Sequence, residues 1–182
     1  MAPQPNATLA GAAALSPLAD LPRRLIALVP IGLMQPVLDR IATHVATARP
    51  RLFARLGPHI RKRYLIDPTD LPFVLVLIPD ATQPHLKAYA RAAKPDSDAC
   101  IAGRFLNLLK MVDTSYDGDA LFFSRDLRVS GDIDAVVALR NALDDCDGTI
   151  MDTVAGAFGP LSGPAAFILS TIRRLSGSRP AA

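Results

Sequence analysis

No glutamate occurs anywhere in the 182 residues, so all seventeen acidic side chains are aspartate. That absence removes at one stroke the motifs that need Glu, among them the H-E-x-x-H zinc site and the closing ligand of an EF-hand. Aspartate is a poor helix former but a good cap and turn residue, so many of these acids are expected at element boundaries. Tryptophan is also absent and aromatics make up only 5%. The core is therefore expected to be built from Leu, Val, Ile and Ala. The two cysteines, Cys100 and Cys146, form neither a CxxC site nor a disulfide framework, and their apolar contexts read as reduced core thiols. The three histidines, His44, His59 and His85, fall in helix, loop and strand contexts. No G-x-S-x-G elbow, phosphate-binding glycine loop or dinucleotide fingerprint is present. The sequence nominates no catalytic residue, no metal ligand and no cofactor. A basic n-region is missing too, because the first cation is Arg23. Residues 1–19 are accordingly expected to be a disordered arm rather than a secretory signal, and the protein cytoplasmic.

The charge that is present is unevenly placed. Residues 1–63 hold nine Lys/Arg against two Asp, a net +7, whereas residues 64–152 hold eight against fifteen, a net −7. Arg49, Arg51, Arg55, Arg61, Lys62 and Arg63 form the densest basic run, which suits docking to an anionic membrane surface or an acidic partner. The same run also fits an ordinary solvated face. It lacks interleaved aromatics, which argues against nucleic acid. Thr153 to Ile172 is uncharged but carries three Gly and two Pro. Its length approaches a membrane span, yet its composition favours a segment that covers a groove or lies on a membrane.

Hydrophobic periodicity predicts helices, then strands with tight turns, then a helix, a strand and a helix. Asp20 with Pro22 starts a first helical piece through Leu28, and Pro36 restarts a longer one with Leu38, Ile41, Val45 and Ala48 on one face. A short helix carries Phe53 and Leu56 up to Gly57-Pro58. RKRYLID reads as a strand, FVLVLI as a central strand covered on both faces, HLKAYAR as a half-exposed strand, and ACIAGRF as another. FLNLLKMV predicts a helix with Leu106, Leu109 and Val112 inward. DLRVSGD is a strand, and Asp132 or Asp134 caps a helix whose stripe is Val136, Leu139, Leu143 and Cys146. The fold class is α+β: a curved, mostly antiparallel five-stranded sheet with helices packed on it, and between them either solid core or an enclosed apolar groove. Residues 20–150 form the domain and 151–182 an apolar, Gly/Pro-rich C-terminal segment.

The stretch DGDALFFSRDLRVSGD, Asp117 to Asp132, tests whether the aspartates do chemistry. Asp113, Ser115, Asp117, Gly118 and Asp119 sit near EF-hand spacing, but Ser124 occupies the place of the closing carboxylate, so an Asx/Gly turn is the better reading. The apolar residues say more. Consecutive Leu121, Phe122 and Phe123 must split between two faces of an extended chain. Apolar surface left over between sheet and helices makes either solid core or a lipid cavity, and periodicity alone does not choose. Strand and helix faces nominate Phe73, Leu75, Leu77, Leu109, Phe122, Val136, Leu139 and Leu143 as lipid-facing, with Phe158 and Phe167 from the C-terminal segment.

The span from Ile101 to Asp145, and within it Phe122-Phe123-Ser124-Arg125-Asp126-Leu127-Arg128-Val129-Ser130-Gly131-Asp132, resembles the C-terminal half of a sterol-carrier-protein domain. From about Pro36 to Asp147 the sequence is similar to the UbiT branch of that family, accessory factors of oxygen-independent ubiquinone biosynthesis. The resemblance implies a non-enzymatic carrier that holds the prenyl tail of quinone intermediates or a phospholipid and presents the head group to UbiU–UbiV-type hydroxylase proteins. Two other readings stand beside it: a peripheral membrane adaptor, and a general phospholipid or fatty-acyl carrier without a quinone role.

Overall fold

The computed structural model describes residues 30–112, 127–144 and 150–157. Five strands form one sheet: β1 (Tyr64–Pro68), β2 (Phe73–Ile78), β3 (His85–Ala90), β4 (Ala99–Gly103) and β5 (Leu127–Gly131), in the order β3-β2-β1-β4-β5. All neighbours are antiparallel except β1 and β4, which run parallel. The β2–β3 hairpin lies on one side of β1 and the β4–β5 pair on the other. FVLVLI is thus an interior strand, but β1 holds the centre.

Among the described residues five α-helices accompany the sheet: α1 (Ile31–Ala48), α2 (Pro50–Arg55), α3 (Phe105–Val112), α4 (Ile133–Asp144) and α5 (Ile150–Gly156). The longest does not restart at Pro36. It begins at Ile31 and carries Pro36 inside its second turn. Proline there removes one donor, the N–H that would serve the Gly32 carbonyl. Gly32 and Pro36 are both exposed, so water can take that carbonyl and the helix continues. Gln35 then ties α1 to the sheet edge. Its Nε2 donates to Leu86 O at 3.1 Å, and its Oε1 accepts from Ala88 N at 3.3 Å. The side-chain amide thereby satisfies backbone groups of β3 that an outer strand would otherwise leave open to a foreign one.

Aspartates punctuate the chain as their chemistry requires. Asp132 is the cap of α4, its Oδ1 accepting from Ala135 N at 3.0 Å. Asp70 Oδ1 accepts from Phe105 N at 2.8 Å and fixes the start of α3. With that start, Leu108 and Met111 are the buried residues of α3, while Leu106 and Leu109 are half-buried. Of the expected face Val112 does meet the interior, while Leu108 and Met111 take the buried places expected of Leu106 and Leu109. Asp98 accepts from Arg63 N at 2.7 Å, and Asp80 closes an Asx turn on Thr82 and Gln83. The Asp113–Ser124 stretch lies outside the described residues, as do the first helical piece and Cys146. Cys100 is half-buried, and burial raises its thiol pKa more strongly than the Ser130 hydrogen bond lowers it.

Two carboxylates link this punctuation to pH. Hydrogen bonds from the Thr82 hydroxyl and from the Thr82 and Gln83 N–H groups hold Asp80 at about 2, down from 3.8. The Ala135 N–H, followed by Lys62, holds Asp132 below its ordinary value. A depressed carboxylate binds its proton less readily folded than unfolded. Its contribution is complete above the ordinary value of 3.8 and is lost as pH falls toward the folded value. Urea midpoints measured from about pH 5 to about pH 2 are expected to fall, and Asp80→Asn to flatten that slope. An unchanged slope in Asp80→Asn would remove Asp80 from the account.

Candidate functional site

The register of the ladders puts Ile66, Leu75, Leu77, Leu86, Ile101 and Val129 on one face of the sheet, since Ile66 opposes Leu75 and Ile101, Leu77 opposes Leu86, and Ile101 opposes Val129. All five helices contribute to the core or cavity on this face. Between helices and sheet lies a cavity of about 190 Å³. From the sheet it is walled by Ile66, Leu77, Leu86 and Ile101, and from the β2–β3 turn by Pro79 and Pro84. From the helices come Ile41, Ala42 and Val45 of α1, Leu52 and Phe53 of α2, Met111 and Val112 of α3, Leu139 and Leu143 of α4, and Val154 of α5. Every wall residue is apolar. A site of this kind attracts a guest by the hydrophobic effect and has no charged group to balance an ion inside it. An apolar cavity of ~150 Å³ is known to stay dry and admit benzene. This one accepts an aromatic ring or a few methylenes as it stands, and a longer chain must extend beyond it.

Three of the nominated residues, Leu77, Leu139 and Leu143, stand in the cavity wall. Phe73, Leu75 and Val136 do not. Phe73 and Val136 are buried and Leu75 is half-buried, with Val136 packed in the core among Tyr64, Leu56 and Ala135. Leu109 is half-buried outside the cavity wall. Phe122, Phe158 and Phe167 lie outside the described residues. The wall also contains residues that were not nominated, above all Ile66, Ile101, Phe53 and Met111. Their signal was present as a stripe: Ile41 and Val45 share a helix face in the sequence, and both line the cavity. The periodicity did not say which members of each stripe would meet a neighbour and which would leave a gap.

Tyr64 belongs to the packed core on the same face of the sheet. It is fully buried, and its hydroxyl lies 3.2 Å from His59 O and 3.3 Å from Ala135 O, two acceptors between which it shares one proton. Burial, then the Asp132 and Asp98 carboxylates, push its pKa up to about 12. Folding thus favours the neutral phenol, and stability should fall as pH climbs above 10. Tyr64→Phe is expected to cost about 1 kcal/mol in urea unfolding at neutral pH and to abolish that alkaline loss. A variant as stable as the parent would show that the hydroxyl contributes nothing.

The basic run is engaged with the protein's own acids. Arg61 Nε lies 3.3 Å from Asp80, Lys62 Nζ 3.2 Å from Asp132, and Arg63 Nε 3.8 Å from Asp98. Arg49 Nε donates to Thr153 Oγ1 at 3.1 Å and so joins α1's end to α5. Arg51 and Arg55 are exposed on α2. The strand RKRYLID therefore starts only at Tyr64, and the cations before it clamp the loop to neighbouring turns. Among the described residues no helix is long and apolar enough to cross a membrane, and no three His, Cys or Asp side chains gather as a metal site.

An α+β sheet with an apolar cavity beneath its helices offers space to an apolar guest. Residues 42–144 match the model of the SCP-2 sterol transfer family, and the chain belongs to that family. Its domain is thus an SCP-2 lipid-binding domain, whose ligand class is lipid. Among solved structures, the chain is similar to one described as UbiJ-SCP2 ubiquinone synthesis protein, at 23% identity over 71% of this chain and 93% of that one, with a TM-score of 0.39. It is also similar to the apo sterol carrier protein 2 of Yarrowia lipolytica, at 12% identity over 64% and 94%, TM-score 0.43. A third likeness is to sterol carrier protein domain 2 of Helicoverpa armigera, at 10% identity over 65% and 91%, TM-score 0.39. No curated protein matches the chain.

Proposed function

We propose that this protein is a non-enzymatic carrier for the prenyl tail of ubiquinone intermediates in the oxygen-independent route, presenting their head groups to hydroxylase proteins of the UbiU–UbiV type. The observation that carries the tail-binding part is the cavity, whose wall is apolar throughout. A prenyl chain in water is disfavoured by about 0.8 kcal/mol for each CH₂ that burial would remove from it, and this wall offers the shelter without a competing polar group. The quinone assignment rests on the sequence resemblance around Phe122 to Asp132. Peripheral association with a membrane fits a carrier that collects its guest there, with Arg51, Arg55, Arg61 and Arg63 of the basic run exposed.

The test is extraction of the full chain after mild purification from anaerobic cells, followed by mass spectrometry of the lipid fraction. Prenylated phenols or quinones at near-stoichiometric amounts are expected. Phospholipid alone would overturn the quinone role and leave a general carrier. A protein that carries no lipid and binds none when it is offered would overturn carriage altogether.

A further inference from the structure

The cavity is smaller than the guest proposed for it. At about 190 Å³ it takes one ring or a few methylenes, and a prenyl tail of several isoprene units exceeds that. Part of the wall must give way to such a tail, and side-chain chemistry decides which part. Six of the wall residues are β-branched, Ile41 and Ile101 among them, and are stiff at their first torsion. Pro79 and Pro84 are fixed by their rings, and Ala42 has no side-chain torsion to turn. Phe53 is a rigid ring only 5% exposed, and displacing it would disturb the packing of α2. The leucines are branched at Cγ, so each rotation exchanges one methyl for another and frees little space.

Met111 differs from all of these. Among the described wall residues it alone is long and unbranched. Its thioether turns about three side-chain torsions, and such a chain fills an irregular gap and leaves it again with little strain. Met111 stands in the last turn of α3, three residues after Leu108, which packs in the core without reaching the cavity. Met111 belongs to both the core and the cavity wall, so it sits where solid packing meets open space. The first turn of α3 is pinned by Asp70 Oδ1 on Phe105 N at 2.8 Å. Rotation of one side chain therefore costs less than a shift of the helix that bears it.

We propose that Met111 is the adjustable member of the cavity wall, swinging aside for a long apolar tail and so setting the length of tail the protein accepts, an inference that rests on the carrier function proposed above. It gives a cavity of stiff residues a means to grow for its guest without loosening the sheet or the helices.

The full chain, labelled with ¹³C at its methionine methyls, is titrated with cyclohexane, which the cavity takes as it stands, and with farnesol, which it does not. The Met111 signal is identified as the one missing from Met111→Ile. The ¹³C shift of a methionine methyl follows its last torsion, so the Met111 signal is expected to move with farnesol and to hold still with cyclohexane. Met111→Ile, stiff at its first torsion, should lose about tenfold or more in farnesol affinity, the equivalent of about two methylenes left unburied, while cyclohexane binds within about twofold of the parent. Met111→Ala, which has no arm to move, should bind farnesol at least as tightly as the parent. A melting curve on each variant confirms that it is folded. An unmoved Met111 methyl at farnesol saturation, or undiminished farnesol affinity in Met111→Ile, would overturn the adjustable wall with carriage intact. A folded Met111→Ile that loses cyclohexane and farnesol alike would refute selection by length. Failure of the parent chain to bind farnesol would remove the carrier reading and this inference together.

Discussion

Gly131→Ala is expected to destabilise the protein by about 3 kcal/mol, a fall in Tm of about 10 °C for a chain of this size. Gly131 ends β5 at φ +81, where any side chain is strained, and an added Cβ would stand 2.4 Å from Asp98 O and 3.1 Å from Ala99 Cα. The neighbour cannot yield. Asp98 O accepts from Asp132 N at 2.9 Å, Asp98 N donates to Arg63 O at 2.9 Å, and Asp98 Oδ2 takes Arg63 N at 2.7 Å. Relief of the clash would pull apart the starts of β1 and β4 and displace Asp132 from its capping position on α4. Gly32→Ala is the internal control. A Cβ there meets nothing within 4 Å, and alanine in an open helical turn is neutral or mildly favourable. Urea unfolding of the two variants beside the parent checks the contrast. Equal stability of Gly131→Ala and the parent would show that this close approach is not required.

Ala42→Phe is expected to remove tail binding without unfolding the chain. Ala42 is 6% exposed and lies in the cavity wall on α1. A ring projected from that position enters a space of about 190 Å³, larger than the ~150 Å³ that accommodates benzene elsewhere. The added side chain occupies the volume a guest would need, so affinity for a prenyl or fatty-acyl probe should drop at least about tenfold, while stability falls by no more than about 1–3 kcal/mol. Parallel measurement of probe affinity and urea midpoint separates occupancy from unfolding. Undiminished binding in a folded variant would mean that the lipid lies elsewhere. Ile101→Ala works in the opposite direction: it enlarges the cavity at a cost of about 2–5 kcal/mol.

Both experiments bear on how a domain of this kind divides its apolar surface. Leu56, Tyr64, Ile101 and Val136 are almost fully buried. They fix α2, α4 and the sheet to one another, while α1 spans the cavity and reaches the edge strand through Gln35. The wall that faces a guest is thus held by elements whose own packing does not depend on that guest. The hydrocarbon interior gives no directional contact, and any discrimination among lipid head groups must come from polar groups outside it.

The residue order alone determined much of this architecture. Strict alternation in HLKAYA made β3, and Asp132 before an apolar stripe made the start of α4. Aspartate and glycine or proline at the turns set the sheet's connections, because these preferences act within a few residues and need no distant partner. The tertiary structure decided the rest. Only the parallel pairing of β1 with β4 places Ile66 beside Ile101, and a carboxylate from a distant loop, Asp70, holds the first turn of α3. The same packing paired Arg61, Lys62 and Arg63 with aspartates far along the chain, and let Pro36 sit within a continuous helix. Whether Leu139 and Val136, two members of one stripe, border a cavity or fill a core depends on whether the opposing surface comes into contact, and a stripe records which way a side chain points but not what waits on the other side.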